Sequence, residues 1–123
     1  MPTVLIVEDE DLVREIATTE FAEAGYRVLE AATGEAALGH LGSDAVDLLF
    51  TDIRLPGTLD GWRIARRARE LHPHLPVIYA SGFPGDAIDV VPGGRFVRKP
   101  YRPVDILTMA AELSAAGFGG KAE

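Results

Sequence analysis

The strongest constraint on this chain is the alternation of five short strand-like runs with longer helix-like segments. The runs are Val4–Val7, Arg27–Glu30, Leu48–Thr51, Val77–Ala80 and Arg95–Val97. The apolar ones among them, Val4–Val7, Leu48–Thr51 and Val77–Ala80, read as strands covered on both faces, the environment of a parallel sheet. Parallel neighbours need crossover connections, and the intervening segments are long enough to supply them as helices. The pattern predicts an α/β fold, a (βα)₅ doubly wound sheet with right-handed crossovers.

The helices are legible from their apolar spacing and their end signals. The first, from about Asp11 to Ala24, places Val13, Ile16, Ala17, Phe21 and Ala24 on one face, and Gly25 stops it. The second runs from about Gly34 to Leu41 behind Thr33, a good N-cap residue. The third spans about Gly61 to Leu71, with Ile64, Ala65, Ala68 and Leu71 inward and Trp62 a packing residue at its edge. The last begins near Pro103, a favourable first-turn residue, and carries Ile106, Leu107, Ala110 and Leu113. Between the fourth and fifth strands, Pro84, Gly85, Pro92, Gly93 and Gly94 leave room for about two helical turns, around Asp86 to Val91. That helix is expected to be short or irregular. The tail from Gly117 to Glu123 reads as frayed, and the whole of 1–123 reads as one domain.

Composition narrows the function. A formal net charge of -7 argues against a nucleic-acid backbone as partner, which requires a basic surface. The absence of cysteine excludes disulfides and thiolate chemistry. No signal-peptide pattern and no apolar run of bilayer length are present, so a cytoplasmic protein is the expectation. Hydrophobic residues at 47% fit a packed globular core.

The charged residues at the strand ends carry the chemistry. Glu8, Asp9 and Glu10 follow the first run, Asp52 ends the third, and Lys99-Pro100 follows the fifth. In an open α/β sheet the site lies beyond the carboxyl ends of the strands, so these charges converge on one crevice. Clustered carboxylates repel and gain proton affinity unless a cation compensates. A hard divalent cation, Mg²⁺ or Mn²⁺ in its place, suits an all-oxygen cluster, and an adjacent lysine suits an anionic group such as phosphate.

With the acidic cluster, Asp52, Ser81 and Lys99-Pro100 in this order, the chain resembles the response-regulator receiver domains of two-component signalling, from Val4 to about Leu113. The resemblance implies the strand order 2-1-3-4-5 of the chemotaxis member, which is also a standard illustration of this topology. It implies that Asp52 is the phosphoacceptor and that Glu8 and Asp9 bind Mg²⁺ with Asp52 and the backbone carbonyl of Arg54. Ser81 matches the hydroxyl residue at the end of the fourth strand, and Lys99 the phosphate-binding lysine. Phe96 matches the aromatic whose rotamer reports activation. Phosphorylation adds roughly −1.5 to −2 charge, which should draw Ser81 and Lys99 inward and leave space for Phe96. The implied phosphodonors are a histidine kinase or phosphotransfer protein. The implied output is a protein contact on the face of the fourth helix, fifth strand and last helix, by a monomer or weak dimer. Catalysis beyond weak autophosphorylation and autodephosphorylation is not implied.

Departures from the family pattern concern the loops. Glu8 stands where aspartate is commoner, so its metal contact is direct or through water. The loop from Arg54 to Leu59 is one residue longer than in the chemotaxis protein. Tyr79-Ala80-Ser81-Gly82-Phe83, with Lys99-Pro100-Tyr101, is similar to a stand-alone subgroup reading Phe-Ala-Thr-Gly-aromatic. Arg54 and Phe83, each two residues beyond a site position, border the approach of an in-line water and are candidates to shield the phosphoryl group.

Met1-Pro2 directly before the first strand favours a stand-alone chain, with the receiver module of a hybrid histidine kinase as the alternative. A phosphatase of the haloacid dehalogenase type would place its nucleophile on the first strand with a second aspartate two residues on. Here the first strand carries the acidic pair, and Asp52-Ile53-Arg54 has arginine at that second position. A flavodoxin-like carrier would need a Ser/Thr/Gly-rich phosphate loop after Val7, where Glu8-Asp9-Glu10 stands instead.

Overall fold

The computed structural model describes residues 1–82 and 89–115. Five strands form one parallel sheet: β1 (Thr3–Val7), β2 (Arg27–Ala31), β3 (Leu48–Asp52), β4 (Val77–Ser81) and β5 (Arg95–Arg98). Their order is β2-β1-β3-β4-β5, as the resemblance implied. Among the described residues there are four helices: α1 (Asp11–Glu23), α2 (Gly34–Ser43), α3 (Gly61–Leu71) and α4 (Pro103–Ala115). None of these helices is long and apolar enough to cross a membrane.

Side chains alternate across the sheet and build one core on each face. Leu5, Val7, Leu49, Val77 and Tyr79 point to a cluster completed by Ala37 and Leu41 of α2 and Trp62, Ile64, Ala65 and Ala68 of α3. Val4, Ile6, Leu48, Phe50, Ile78 and Ala80 point the other way, onto Ala17 and Phe21 of α1 and Ile106 and Ala110 of α4. β1, β3 and β4 are buried along their whole length, which is why their sequences are mainly apolar rather than alternating, with the buried polar residues Thr3, Thr51, Asp52 and Ser81 at or near their ends. The edge strands β2 and β5 are partly exposed and accordingly carry charge.

Helix ends follow their caps. Thr33 accepts from the amide of Ala36 at the start of α2, and Asp60 accepts from the amide of Arg63 at the start of α3. Gly25, at φ 100°, turns the chain out of α1, a conformation that glycine adopts without strain.

Three expectations about helix faces are corrected. Ile16 is 55% exposed and Leu71 is 49% exposed, and Ala24 is an exposed cap beyond the end of α1. The buried seam of α1 is narrow and centred on Ala17 and Phe21. At 3.6 residues per turn, Ile16 lies about 100° around the helix from Ala17. Leu71 belongs to the last turn of α3, where Ile64, Ala65 and Ala68 already fill the contact.

The short helix expected around 86–91 falls partly outside the described residues. Its described end, Asp89 to Val91, is not helical. The Val91 amide donates to the buried Tyr79 hydroxyl at 3.1 Å, and Gly93 turns the chain at φ 78°. The tail 117–123 and Phe83 also lie outside the described residues.

Candidate functional site

Register brings the charged residues together. Val7 pairs with Thr51 across β1 and β3, Asp52 with Ala80 across β3 and β4, and Ser81 with Arg98 across β4 and β5. Glu8, Asp52, Ser81 and Lys99 therefore leave the same edge of the sheet within one residue of each other. The β4–β5 ladder continues past the strand ends, with the Lys99 amide donating to the Ser81 carbonyl at 2.8 Å. The Lys99–Pro100 peptide is cis.

The centre of the site is an ammonium shared by two carboxylates. Lys99 Nζ donates to Glu8 Oε1 at 2.7 Å and to Asp52 Oδ2 at 3.1 Å. Glu8 is 4% exposed and Asp52 is 9% exposed, whereas Asp9 is exposed. The remaining oxygens are also held. Asp52 Oδ1 accepts from the Ile53 amide at 2.9 Å, and Glu8 Oε2 accepts from the Glu10 amide at 3.2 Å.

Burial raises the proton affinity of Glu8, aided by the nearby Asp52 charge, while the bond from Lys99 opposes the rise. Burial likewise raises Asp52, against the charge and hydrogen bond of Lys99. Burial works against the Lys99 ammonium, yet Glu8 and Asp52 together outweigh it and hold its pKa above the ordinary value. The asymmetry has a simple cause: the ammonium has two carboxylates, and each carboxylate has a share of one ammonium. Tyr101, its ring 5.5 Å from that of Phe50 and edge-on, is pushed up to about 12 by burial and by the Glu8 and Asp52 charges.

The donor set fits a hard cation. One carboxylate oxygen from each of Glu8, Asp9 and Asp52 lies within 4.8 Å of the others. All are oxygen donors, and two belong to buried residues whose own charge is poorly compensated.

The other sequence-derived candidates divide. Ser81 is buried at the end of β4 beside the site. Arg54 is exposed two residues beyond Asp52, on the loop that would offer its carbonyl. Phe96 lies on β5 and pairs with Tyr79 across the β4–β5 ladder. Its ring stacks on Trp62 with centroids 6.4 Å apart and planes 18° from parallel, on the α3 side of the sheet. Phe83, the second shielding candidate, is outside the described residues.

One contributor went unnoticed in the sequence. Arg14 Nη1 donates to the Glu8 backbone carbonyl at 2.8 Å, while its other nitrogens bind Asp11 at 2.9 Å and Glu30 at 3.2 Å. It ties the acidic loop to α1 and β2. The signal available was weak, an Asp-x-x-Arg pair in a first helical turn.

Comparisons with known proteins point to one family. Residues 4–111 match the family model of the response regulator receiver domain. The chain is 39% identical to the transcriptional regulatory protein AfsQ1 of Streptomyces coelicolor, over 100% of this chain and 54% of that protein. It is 31% identical to the response regulator receiver protein CpdR of Brucella abortus, over 94% of this chain and 99% of CpdR. It is 36% identical to part of the sensor kinase CckA of Brucella abortus, over 90% of this chain and 12% of the kinase. The chain thus spans about half of one such relative, a small part of another and nearly all of the third. Among solved structures, a response regulator receiver protein from Sinorhizobium medicae superposes with a TM-score of 0.89 at 31% identity, over 94% of this chain and 95% of that one. The response regulator TrrA of Thermotoga maritima, solved with Mg²⁺ and BeF, superposes at 0.82 with 27% identity, over 92% and 99% of the two chains.

Proposed function

The chain belongs to the response regulator receiver domain family, and on that premise we propose that it accepts a phosphoryl group on Asp52 and signals by protein contact. The observation that carries the reading is the Lys99 ammonium bridging Glu8 and Asp52 with Asp9 alongside. That constellation supplies a nucleophile, a fixed cation and a divalent-metal donor set in one crevice.

The reaction is transfer from a phosphohistidine of a kinase or phosphotransfer protein. An Asp52 carboxylate oxygen forms a bond to phosphorus, the phosphorus–nitrogen bond breaks, and the imidazole leaves to be protonated. Phosphoryl transfer asks the protein mainly for positioning and charge stabilisation. The carboxylate is already oriented, with Oδ1 on the Ile53 amide and Oδ2 on Lys99. As charge accumulates on the phosphoryl oxygens, Lys99 exchanges a carboxylate for one of them, and the Ser81 hydroxyl donates to another. Glu8, Asp9, Asp52 and the Arg54 carbonyl would hold Mg²⁺, which when bound neutralises charge on carboxylate and phosphoryl oxygens. The Mg²⁺ in the TrrA complex supports this choice of ion.

Near-complete coverage of CpdR supports a stand-alone regulator, and we place it in the cytoplasm, where its phosphodonors would reach it. The match to the CckA kinase supports the second reading, a receiver module of a hybrid kinase. An immunoblot of native cells separates them: a band near 13.2 kDa fits the first, and a much larger one the second.

The test of the central reading is intact mass spectrometry after incubation with acetyl phosphate and Mg²⁺. Wild type should gain one labile phosphoryl adduct and Asp52→Asn none. An undiminished adduct on Asp52→Asn would overturn the assignment.

A further inference from the structure

The loop after β3 meets the rest of the molecule at two glycines that leave no room for a methyl group. A Cβ on Gly61 would lie 2.3 Å from the carbonyl oxygen of Asp52 and 2.8 Å from the Cα of Ile53. A Cβ on Gly34 would lie 2.5 Å from the Cβ of Leu59 and 3.2 Å from Cδ1 of Ile64. The described glycines with positive φ are Gly25, Gly57 and Gly93. At Gly34 and Gly61 the requirement is therefore space rather than backbone freedom.

We infer that Gly61 and Gly34 are positioning residues for phosphoryl transfer, setting how closely α3 and α2 hold the loop that runs from Asp52 to Asp60. The inference rests on the receiver reading and adds to it the elements that aim the nucleophile. The Gly61 amide donates to the Ile53 carbonyl at 2.8 Å. The Ile53 amide donates in turn to Asp52 Oδ1 at 2.9 Å. A single residue, Ile53, thus links the first residue of α3 to the reacting carboxylate.

A methyl group at position 61 would have to gain about 0.7 Å, from 2.3 Å to 3.0 Å, before reaching a distance that real Cβ atoms adopt. The obstructing atoms are main chain and cannot rotate aside. The shift falls on α3 or on Asp52 itself. At position 34 the obstruction is the Cβ of Leu59, which also moves only with its backbone. Leu59 lies on the loop that carries Arg54, so α2 reaches the metal-binding carbonyl through this contact. The Glu35 carboxylate is a second contact of α2 with the loop, 3.5 Å from where a Cβ on Gly57 would stand.

A purely structural role would lower stability and reduce the rate only as the folded fraction falls. A positioning role lowers the rate in protein that remains folded, because about 1 Å of misplacement costs roughly 100-fold in transfer. Alanine is also the better helix former at both positions, which works against any loss of stability.

The experiment compares full-length Gly61→Ala, Gly34→Ala and Gly39→Ala, the last a helical glycine whose Cβ would meet nothing within 4 Å. Three quantities are read: adduct formation from acetyl phosphate and Mg²⁺, thermal unfolding by circular dichroism, and the ¹⁵N shift of the Ile53 amide. Gly39→Ala should react like wild type. Gly61→Ala should react about 100-fold more slowly, with a displaced Ile53 amide before any ligand is added. Gly34→Ala should be slowed at least tenfold, and adding Leu59→Gly should restore most of the rate although it lowers the melting temperature. Folded Gly61→Ala and Gly34→Ala that react as fast as Gly39→Ala would overturn the inference. Failure of Leu59→Gly to rescue would do the same for the route through α2. If Gly61→Ala does not fold, the Gly34 and Leu59 pair decides. A wild type that takes up no phosphoryl group would instead reject the phosphoacceptor reading, and the Ile53 shift would still report on the glycine contacts.

Discussion

Replacing Lys99 by methionine keeps the stem of the side chain and deletes the one cation shared by Glu8 and Asp52. The cost follows from what the two buried carboxylates do next. Breaking a buried ion pair costs about 3–5 kcal/mol when the remaining charge cannot escape. Here it escapes by protonation, after which one carboxyl donates to the other. The ceiling is then the work of protonating a carboxyl at the ambient pH, about 1.4 kcal/mol per unit. From the ordinary glutamate value of 4.5, that is about 4 kcal/mol at pH 7.5 and about 1.4 kcal/mol at pH 5.5. Carboxyl groups raised in the folded state contribute stability that is present below their unfolded pKa and lost as pH rises through the folded one. Burial already raises Glu8 and Asp52, and Lys99 restrains the rise. Without Lys99 both climb further, so the gap between wild type and variant opens upward from about pH 4.5. With a urea m-value of about 2 kcal/mol/M, the midpoint should fall by about 2 M at pH 7.5 and about 0.7 M at pH 5.5. Mg²⁺ should narrow the gap at the higher pH. An equal loss at both pH values, or no loss, would refute the reasoning and assign Lys99 to packing rather than charge.

Asp9→Asn removes an exposed carboxylate from the repelling cluster, so metal-free protein should be equally stable or up to about 1 kcal/mol more stable at low salt. It should also lose the stabilisation by Mg²⁺, about 1.4 kcal/mol for wild type at ten times the dissociation constant; equal thermal shifts with Mg²⁺ would place the metal elsewhere. Arg54→Asn and Phe83→Glu should each shorten the life of the phosphorylated state, and the double variant most, as read from adduct decay after removal of the donor. Unchanged decay in all three would reject shielding and leave the assignment of Asp52 intact.

The fold was legible where the requirement on a residue is local. Val4–Val7, Leu48–Phe50 and Val77–Ala80 are apolar throughout because both faces are covered. Thr33 and Gly25 marked helix ends because capping depends on neighbours in sequence, whereas the Asp60 cap of α3 was not read. The strand-end charges were legible because the carboxyl edge of a parallel sheet is a fixed place. Ile16 and Leu71 misled because an apolar residue on a helix does not reveal how wide the buried seam is. Phe96 stacks on Trp62 of α3, a tertiary contact on the face of the sheet that it shares with its register partner Tyr79 and that sequence spacing does not reveal. The Arg14 bond to Glu8, and the approaches of Gly34 to Leu59 and Gly61 to Asp52, join elements that sequence spacing does not relate.

Strand register converts that pattern into a site. Lys99 Nζ reaches Glu8 at 2.7 Å and Asp52 at 3.1 Å, the first within the range of a good charged hydrogen bond and the second just beyond it. A slip of one residue between β1 and β3 would move one carboxylate by about 3.3 Å along its strand and turn it to the other face. Lys99 would then lose one partner and the metal donor set would fall apart. The apolar alternation that fixes register, Leu5 and Val7 to one face and Val4 and Ile6 to the other, is therefore also what holds the charges in place. Residues such as Gly61, which refine the position by less than an ångström, act only after register has brought the carboxylates within reach of the one lysine.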